Sequence, residues 1–248
     1  MEQTTEDLIE FSQEERDFQT KNRNVYNSGR IRESFEAAAE FHQNHPESVL
    51  AKLEHAIKGG DYSYDSSLDE TTRETLRNQA KVWIAEIFHH PQLQRYPAQF
   101  IRRVRNEFYW FFELHEEQYR LGLEEQAKGA PRSHYPQCVG ASAQARKVLI
   151  EKEDLAEAER WAALSLAAFY EFEKEDPTWY NINYFAAQAL AVLGRYKEAM
   201  AAFLDMFRKQ QGPVNEAEVQ AFRSRIDDIQ RARAACLKKK SRQPFGGR

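Results

Sequence analysis

Apolar residues recur along this chain at steps of three and four, the period of one face of a helix, and seldom at alternate positions as in a strand. Leu76, Ala80, Trp83, Ile84 and Ile87 make such a stripe across 69–89 and predict an amphipathic helix there. The same period predicts earlier helices over 5–27, 31–42 and 47–57. Asn27-Ser28-Gly29 offers a left-handed stop for the first, and His45-Pro46 ends the second because the residue before proline is pushed out of the helical region. Gly59-Gly60 is expected to end the third, and 61–69, rich in Ser, Asp and Tyr, reads as a loop. From 98 to 128 the pattern predicts one long helix, with Ile101, Val104, Phe108, Phe111, Phe112 and Tyr119 on one side and Tyr109, Trp110 and Leu114 on others. So broad an apolar surface suits a central helix packed on several sides. Residues 129–140 hold two prolines and read as a linker between a helical region at 1–128 and a second at 141–237, followed by a flexible basic tail at 238–248. In the second region the stripes predict helices at 141–151, 154–172, 178–193, 196–210 and 215–237. With no strand run anywhere, the expected class is all-α.

Composition agrees with this class. Of 248 residues 42% are hydrophobic and 30% charged, with only 10 Gly and 8 Pro, a balance that suits a packed core of helices joined by short connections. No apolar run approaches the roughly 20 residues of a membrane span, so no membrane contact is expected. The first residues are acidic where a secretory or transit signal would be basic. Two cysteines, Cys138 and Cys236, lack disulfide or metal spacing, and the expected compartment is the cytoplasm. The charge is neutral only on average: residues 2–17 carry seven acids against Arg16, and residues after 228 carry seven Lys or Arg and no acid. Ends of opposite sign suit contact with each other or with the next molecule, so a homo-oligomer stays open.

A recurring set of landmarks sharpens the picture. Gly194, Tyr196, Ala199 and Phe203 stand where a helical hairpin needs a turn, an aromatic, a small residue at the helix contact and a groove-filling aromatic. On these residues the stretch 178–210 resembles a tetratricopeptide repeat, although Asn183 and Ala187 stand where that family usually has Trp and Gly. Gly29, Ile31, Ser34, Ala38 and Pro46 make a weaker copy, and 154–158 begins another that closes at Asp176-Pro177. From Ala158 to Ala199 is 41 residues, longer than the family's period of about 34. The resemblance implies antiparallel hairpins stacked as a bundle or short superhelix, the first helix of each lining a concave face that grips a protein or peptide partner. The residues it places on that face are Gln144, Lys147, Asn181, Tyr184 and Gln188, with Arg23 from the amino-terminal copy. The family's clamp for a terminal carboxylate is incomplete here, so the resemblance implies no ligand class.

Signals for chemistry are sparse. The chain has no P-loop, dinucleotide fingerprint, nucleophile elbow or His-Glu-x-x-His. Glu86 and His89 form one Glu-x-x-His pair where a bundle di-iron site needs two. His42, His45 and His115 suit helix ends and surfaces. Cys138, near His134, suits an unreactive loop thiol better than a nucleophile. No catalysis, metal or cofactor is expected. Arg95, Arg102, Arg103 and Arg105 cluster around Tyr96 and Phe100 and, with the basic tail, allow a nucleic-acid surface, or else form the wet side of a helix. The run Phe108–Phe112 suits a core better than a ligand pocket.

Overall fold

The computed structural model describes residues 8–65, 67–210, 214 and 216–242. These fold into eleven α-helices with no strand among them, and within each of two units consecutive helices pack against one another. Close contacts divide the chain into one unit up to Glu113 and another from Leu114 onward, each with its own apolar core.

The first unit holds α1 (Gln13–Asn27), α2 (Ile31–Asn44), α3 (Val49–Tyr62), α4 (Glu70–Phe88) and α5 (Ala98–Phe111). Ser12 opens α1 with a reciprocal cap: its hydroxyl accepts from Glu15 N at 3.2 Å and its own N donates to Glu15 Oε2 at 2.7 Å. The other oxygen of Glu15 accepts from Ser48, the residue that caps α3, so one carboxylate ties two helix starts together. Leu50 and Leu53 of α3, Ala80, Ile84 and Ile87 of α4, and Phe100 and Val104 of α5 form the core. The stripe expected at 69–89 is therefore the buried face of α4. Gly59-Gly60 does not end α3, which continues to Tyr62. A Cβ on Gly60 would lie 2.3 Å from Cζ of Phe111, so glycine here admits the aromatic ring of α5 and is no stop.

The second unit holds α6 (His115–Ala127), α7 (His134–Lys147), α8 (Leu155–Glu175), α9 (Ile182–Val192), α10 (Tyr196–Gln210) and α11 (Glu216–Arg242). Two expectations fail here. The single helix at 98–128 is two, α5 and α6, separated around Glu113 at φ 56°. The linker at 129–140 is largely α7, with Pro136 in its first turn, where proline's missing N–H costs nothing, and Cys138, Val139, Gly140 and Ala141 buried. A Cβ on Gly140 would come within 2.6 Å of the His115 carbonyl and 2.7 Å of Tyr119 N, and one on Gly122 within 2.8 Å of Gln137 N, so α6 and α7 approach backbone to backbone. At the far end Phe203 stacks on Phe222 of α11 at 4.0 Å. Arg233 donates to Val192 O at the end of α9 and pairs with Glu159 at 2.7 Å. Residues 238–242 continue α11 and are not a separate tail, and 243–248 lie outside the described residues.

A regular spacing runs through both units. Gly29, Glu113, Glu153 and Gly194 all have φ between 54° and 80°. Two residues after each of them a helix begins, at Ile31, His115, Leu155 and Tyr196. Five residues after stand Ser34, Gln118, Ala158 and Ala199, all fully buried, and nine after stand Ala38, Gly122, Ala162 and Phe203, buried too. Glu113, Glu153 and Gly194 are 40 and 41 residues apart, with Gly129 and Arg132 also left-handed between the first two, a pattern compatible with a helical repeat. The α3–α4 connection is longer and shows none of these landmarks among its described residues.

Candidate functional site

The densest group of charged side chains in the first unit lies where α1, α3 and α5 converge. Glu54, Lys58 and Asp61 sit at i, i+4 and i+7 on α3 and so share one face. Gln19 of α1 and Arg103 of α5 donate to the same oxygen, Glu54 Oε1, at 3.0 and 2.5 Å. Lys58 Nζ lies 3.5 Å above the ring of Tyr26 and 3.9 Å from Asp61. Glu107 follows Arg103 by one turn and accepts a long bond, 3.4 Å, from Asn106. Glu54 is almost sealed, with 4% of its side chain exposed, whereas Arg103 keeps 28% and Asp61 34%.

The electrostatics separate the carboxylates. Burial would raise Glu54, but the Arg103 guanidinium, Lys58 and the Gln19 amide overcome it and hold the group at about 2. Burial lowers Lys58 against the pull of Asp61 and Glu54, and raises Asp61 against Lys58 and the Tyr26 hydroxyl. Glu107 rises to about 7, because burial, with Asp61 adding to it, outweighs Arg103 and Lys58.

Counting back from the left-handed turns places these side chains in a register. Ten residues before Gly29, Glu113, Glu153 and Gly194 stand Gln19, Arg103, Ala143 and Tyr184, and six before stand Arg23, Glu107, Lys147 and Gln188. Arg23, Lys147, Tyr184 and Gln188 of the expected inner face thus share the register of the seam. Their surroundings differ. Arg23 is exposed and Lys147 half-buried. Tyr184 packs at a steep angle against the stacked rings of Phe203 and Phe222, with the Arg225 guanidinium 5.5 Å over its own ring, and Gln188 is buried. Asn181 is half-buried at the start of α9. Gln144 is buried and donates to Glu116 of α6 at 3.1 Å.

Arg102 and Arg105, three residues apart, share a face of α5, and Arg103 points about 100° away from Arg102. Arg103 is taken up by Glu54, and Arg105 leans on Tyr109, 5.9 Å from its ring centre. Arg95 is exposed on a single 3-10 turn, and Arg102 is half-buried. Farther along, Arg231 pairs with Asp228 and Lys239 with Glu153, so part of the basic carboxyl-terminal charge serves α11 and its contacts.

No protein-family model, curated protein or solved structure matches the chain. The remaining candidates for chemistry stand apart from the seam. Among the described residues no three His, Cys, Asp or Glu side chains gather as metal ligands. Glu86 pairs with Lys52, and the rings of His42 and His55 meet at Nδ1 to Nδ1, 3.1 Å. Cys138 is no loop thiol: it is buried on α7 against Ser165, and burial pushes it to about 12. No helix among the described residues is long and apolar enough to cross a membrane.

Sequence reasoning missed Gln19, Glu54, Lys58, Asp61 and Glu107, and it gave Arg103 to another surface. The signal was the step of 41 residues from Tyr184 and Gln188 back to Ala143 and Lys147, and then of 40 to Arg103 and Glu107. It was hidden because Glu113-Leu114 carries neither glycine nor proline.

Proposed function

We propose that this protein is a non-catalytic scaffold of tetratricopeptide type that holds an extended peptide or partner segment in a concave groove between helices. One observation carries the reading. Gln19 and Arg103, at the same register on α1 and α5, meet on Glu54 of α3 in a polar seam that keeps contact with solvent. Polar side chains cost free energy at helix junctions that apolar residues could fill, which makes a recognition face the natural reason for them. The buried, unactivated Cys138 thiol supports both the absence of covalent chemistry and a reducing compartment such as the cytoplasm.

The test is selection of peptides from a random display library on the full chain, followed by fluorescence anisotropy with the selected peptides. Arg23→Ala, Lys147→Ala and Tyr184→Ala, made singly, should each weaken binding by about three- to thirtyfold, in line with interface truncations of about 1 to 2 kcal/mol. Far-UV circular dichroism should stay unchanged for Arg23→Ala and Lys147→Ala. Failure to select any peptide, or selected peptides indifferent to all three substitutions, would sink the proposal.

A further inference from the structure

We infer that the imidazoles of His42 and His55 form a two-coordinate site for a soft monovalent cation with a filled d shell, copper(I), with the Trp83 ring beside it. The inference stands apart from the scaffold reading and adds a metal site to the first unit.

Three helices build the place. His42 lies near the end of α2, His55 in the middle of α3 and Trp83 on α4. The two imidazoles stand 5.4 Å apart at 74°, and the indole lies 5.2 Å from His42 and 4.7 Å from His55. Phe35 of α2 packs on His55 from another side at 5.5 Å. All three members of the group are half-buried, so packing holds the rings while solvent still reaches them.

The two rings meet nitrogen to nitrogen, Nδ1 to Nδ1 at 3.1 Å. One of these nitrogens carries a proton and the other offers a lone pair. Among the described residues neither ring has any other hydrogen bond, so nothing fixes the tautomer of the donor. Moving its proton to Nε2 leaves two Nδ1 lone pairs facing one point, with no change of charge. A linear ion with bonds of about 2.0 Å needs the nitrogens about 4 Å apart. The pair falls about 0.9 Å short of that, a gap that small rotations of two half-buried rings close.

The donor set selects the ion. Zinc takes four ligands, and calcium and magnesium take six or more oxygens. No third His, Cys, Asp or Glu gathers here among the described residues. Copper(I) is satisfied by two nitrogens in line, and imidazole is a good copper ligand. The indole adds π density beside the cation. Lys52, one turn before His55, is paired with Glu86 of α4, which offsets its repulsion.

The probe is copper(I), delivered without oxygen to the full chain from a chromogenic chelator whose colour change counts the ion taken up. Thiols are soft ligands too, so the titration uses a Cys138→Ala, Cys236→Ala chain, both changes lying in the second unit. One copper should bind and quench indole fluorescence, and Trp83→Phe should abolish most of the quenching. His42→Phe and His55→Phe keep a ring against Trp83 and remove the nitrogens. Each should weaken binding by more than about tenfold, since even an outer-shell partner of a ligand is worth that much. His45→Phe, whose histidine faces Glu14 instead, should leave binding unchanged, and zinc(II) should compete only weakly. Copper held equally by the parent and both Phe variants would be an adventitious ion only and overturns the site, as does quenching that survives Trp83→Phe. Zinc bound as tightly as copper overturns the ion class. If the cysteine-free chain does not fold, the native chain should take one copper more than its His42→Phe variant, and an equal count overturns the inference.

Discussion

Glu107 sits on α5 one turn beyond Arg103, yet Arg103 spends its shortest contact on Glu54. The folded state therefore favours the neutral form of Glu107, with its pKa raised from 4.5 to about 7. Below pH 4.5 the group is protonated in both folded and unfolded chains and contributes no difference. As pH rises from 4.5 to 7 the unfolded chain releases this proton first, so stability falls across that window and stays low above it. Glu107→Gln removes the dependence. The variant should be more stable than the parent at pH 8, by about 1 to 2 kcal/mol after allowance for partial solvent screening, and equal to it near pH 4.5. Urea unfolding at the two pH values measures the difference, and an equal gain at both would show that charge is not the cause. Glu54, held at about 2, acts in the opposite sense and loses its stabilising contribution only as pH falls below 4.5. Two carboxyls a few ångströms from one guanidinium thus divide its charge unequally, an outcome of side-chain geometry that residue spacing alone does not determine.

At the scale of elements, three glycines in helices separate three physical causes. Gly59 has the nearest atom to a prospective Cβ at 3.5 Å, an ordinary contact. Gly59→Ala should therefore stabilise α3 by about 0.5 to 1 kcal/mol through backbone entropy. Gly60→Ala drives a methyl into the Phe111 ring at 2.3 Å, which the ring must rotate away to admit. Gly140→Ala meets backbone at 2.6 and 2.7 Å, where nothing can rotate, and should cost about 1 to 3 kcal/mol as α6 and α7 are forced apart. Thermal melting ranks the three, and a neutral Gly140→Ala would mean that the α6–α7 approach is looser than described. These glycines also explain what sequence could and could not tell. The stop made by proline at His45-Pro46 lies where expected because the steric cause is local. Gly59-Gly60 was misread as a break because the cause of Gly60 is a ring of another helix distant in sequence. The break at Glu113 was missed because a glutamate in the left-handed region leaves no compositional trace. The buried landmarks at Ala199, Phe203, Ser34 and Ala38 were legible, since small and aromatic residues at fixed spacing record helix contacts directly.

For the whole molecule, the two apolar cores share no residue: one is built from residues between Ile9 and Phe111, the other from residues between Tyr119 and Cys236. The sequence places its probes so that each core can be watched separately. Both cysteines belong to the second unit, each buried, with Cys138 against Ser165 and Cys236 donating to Glu153 O at 3.3 Å. Of the four tryptophans, Trp83 and Trp110 lie in the first unit and Trp161 and Trp179 in the second. In native buffer neither thiol should react with an aromatic disulfide reagent, because a thiol pushed to about 12 is almost wholly protonated and a buried one is not reached. In urea the onset of labelling then reports opening of the second core alone. Fluorescence of a Trp161→Phe, Trp179→Phe variant, whose remaining indoles are Trp83 and Trp110, reports the first. Separate cores carry separate burial free energies, so the two probes should give transitions with different midpoints, and a single fluorescence curve for the parent should be broader than a two-state fit allows. Coincident midpoints would mean that the units unfold as one cooperative body. Two midpoints would place the ionic seam and the Tyr184 cluster on independently folding parts, so a substitution in the first could be assayed for stability without disturbing the second.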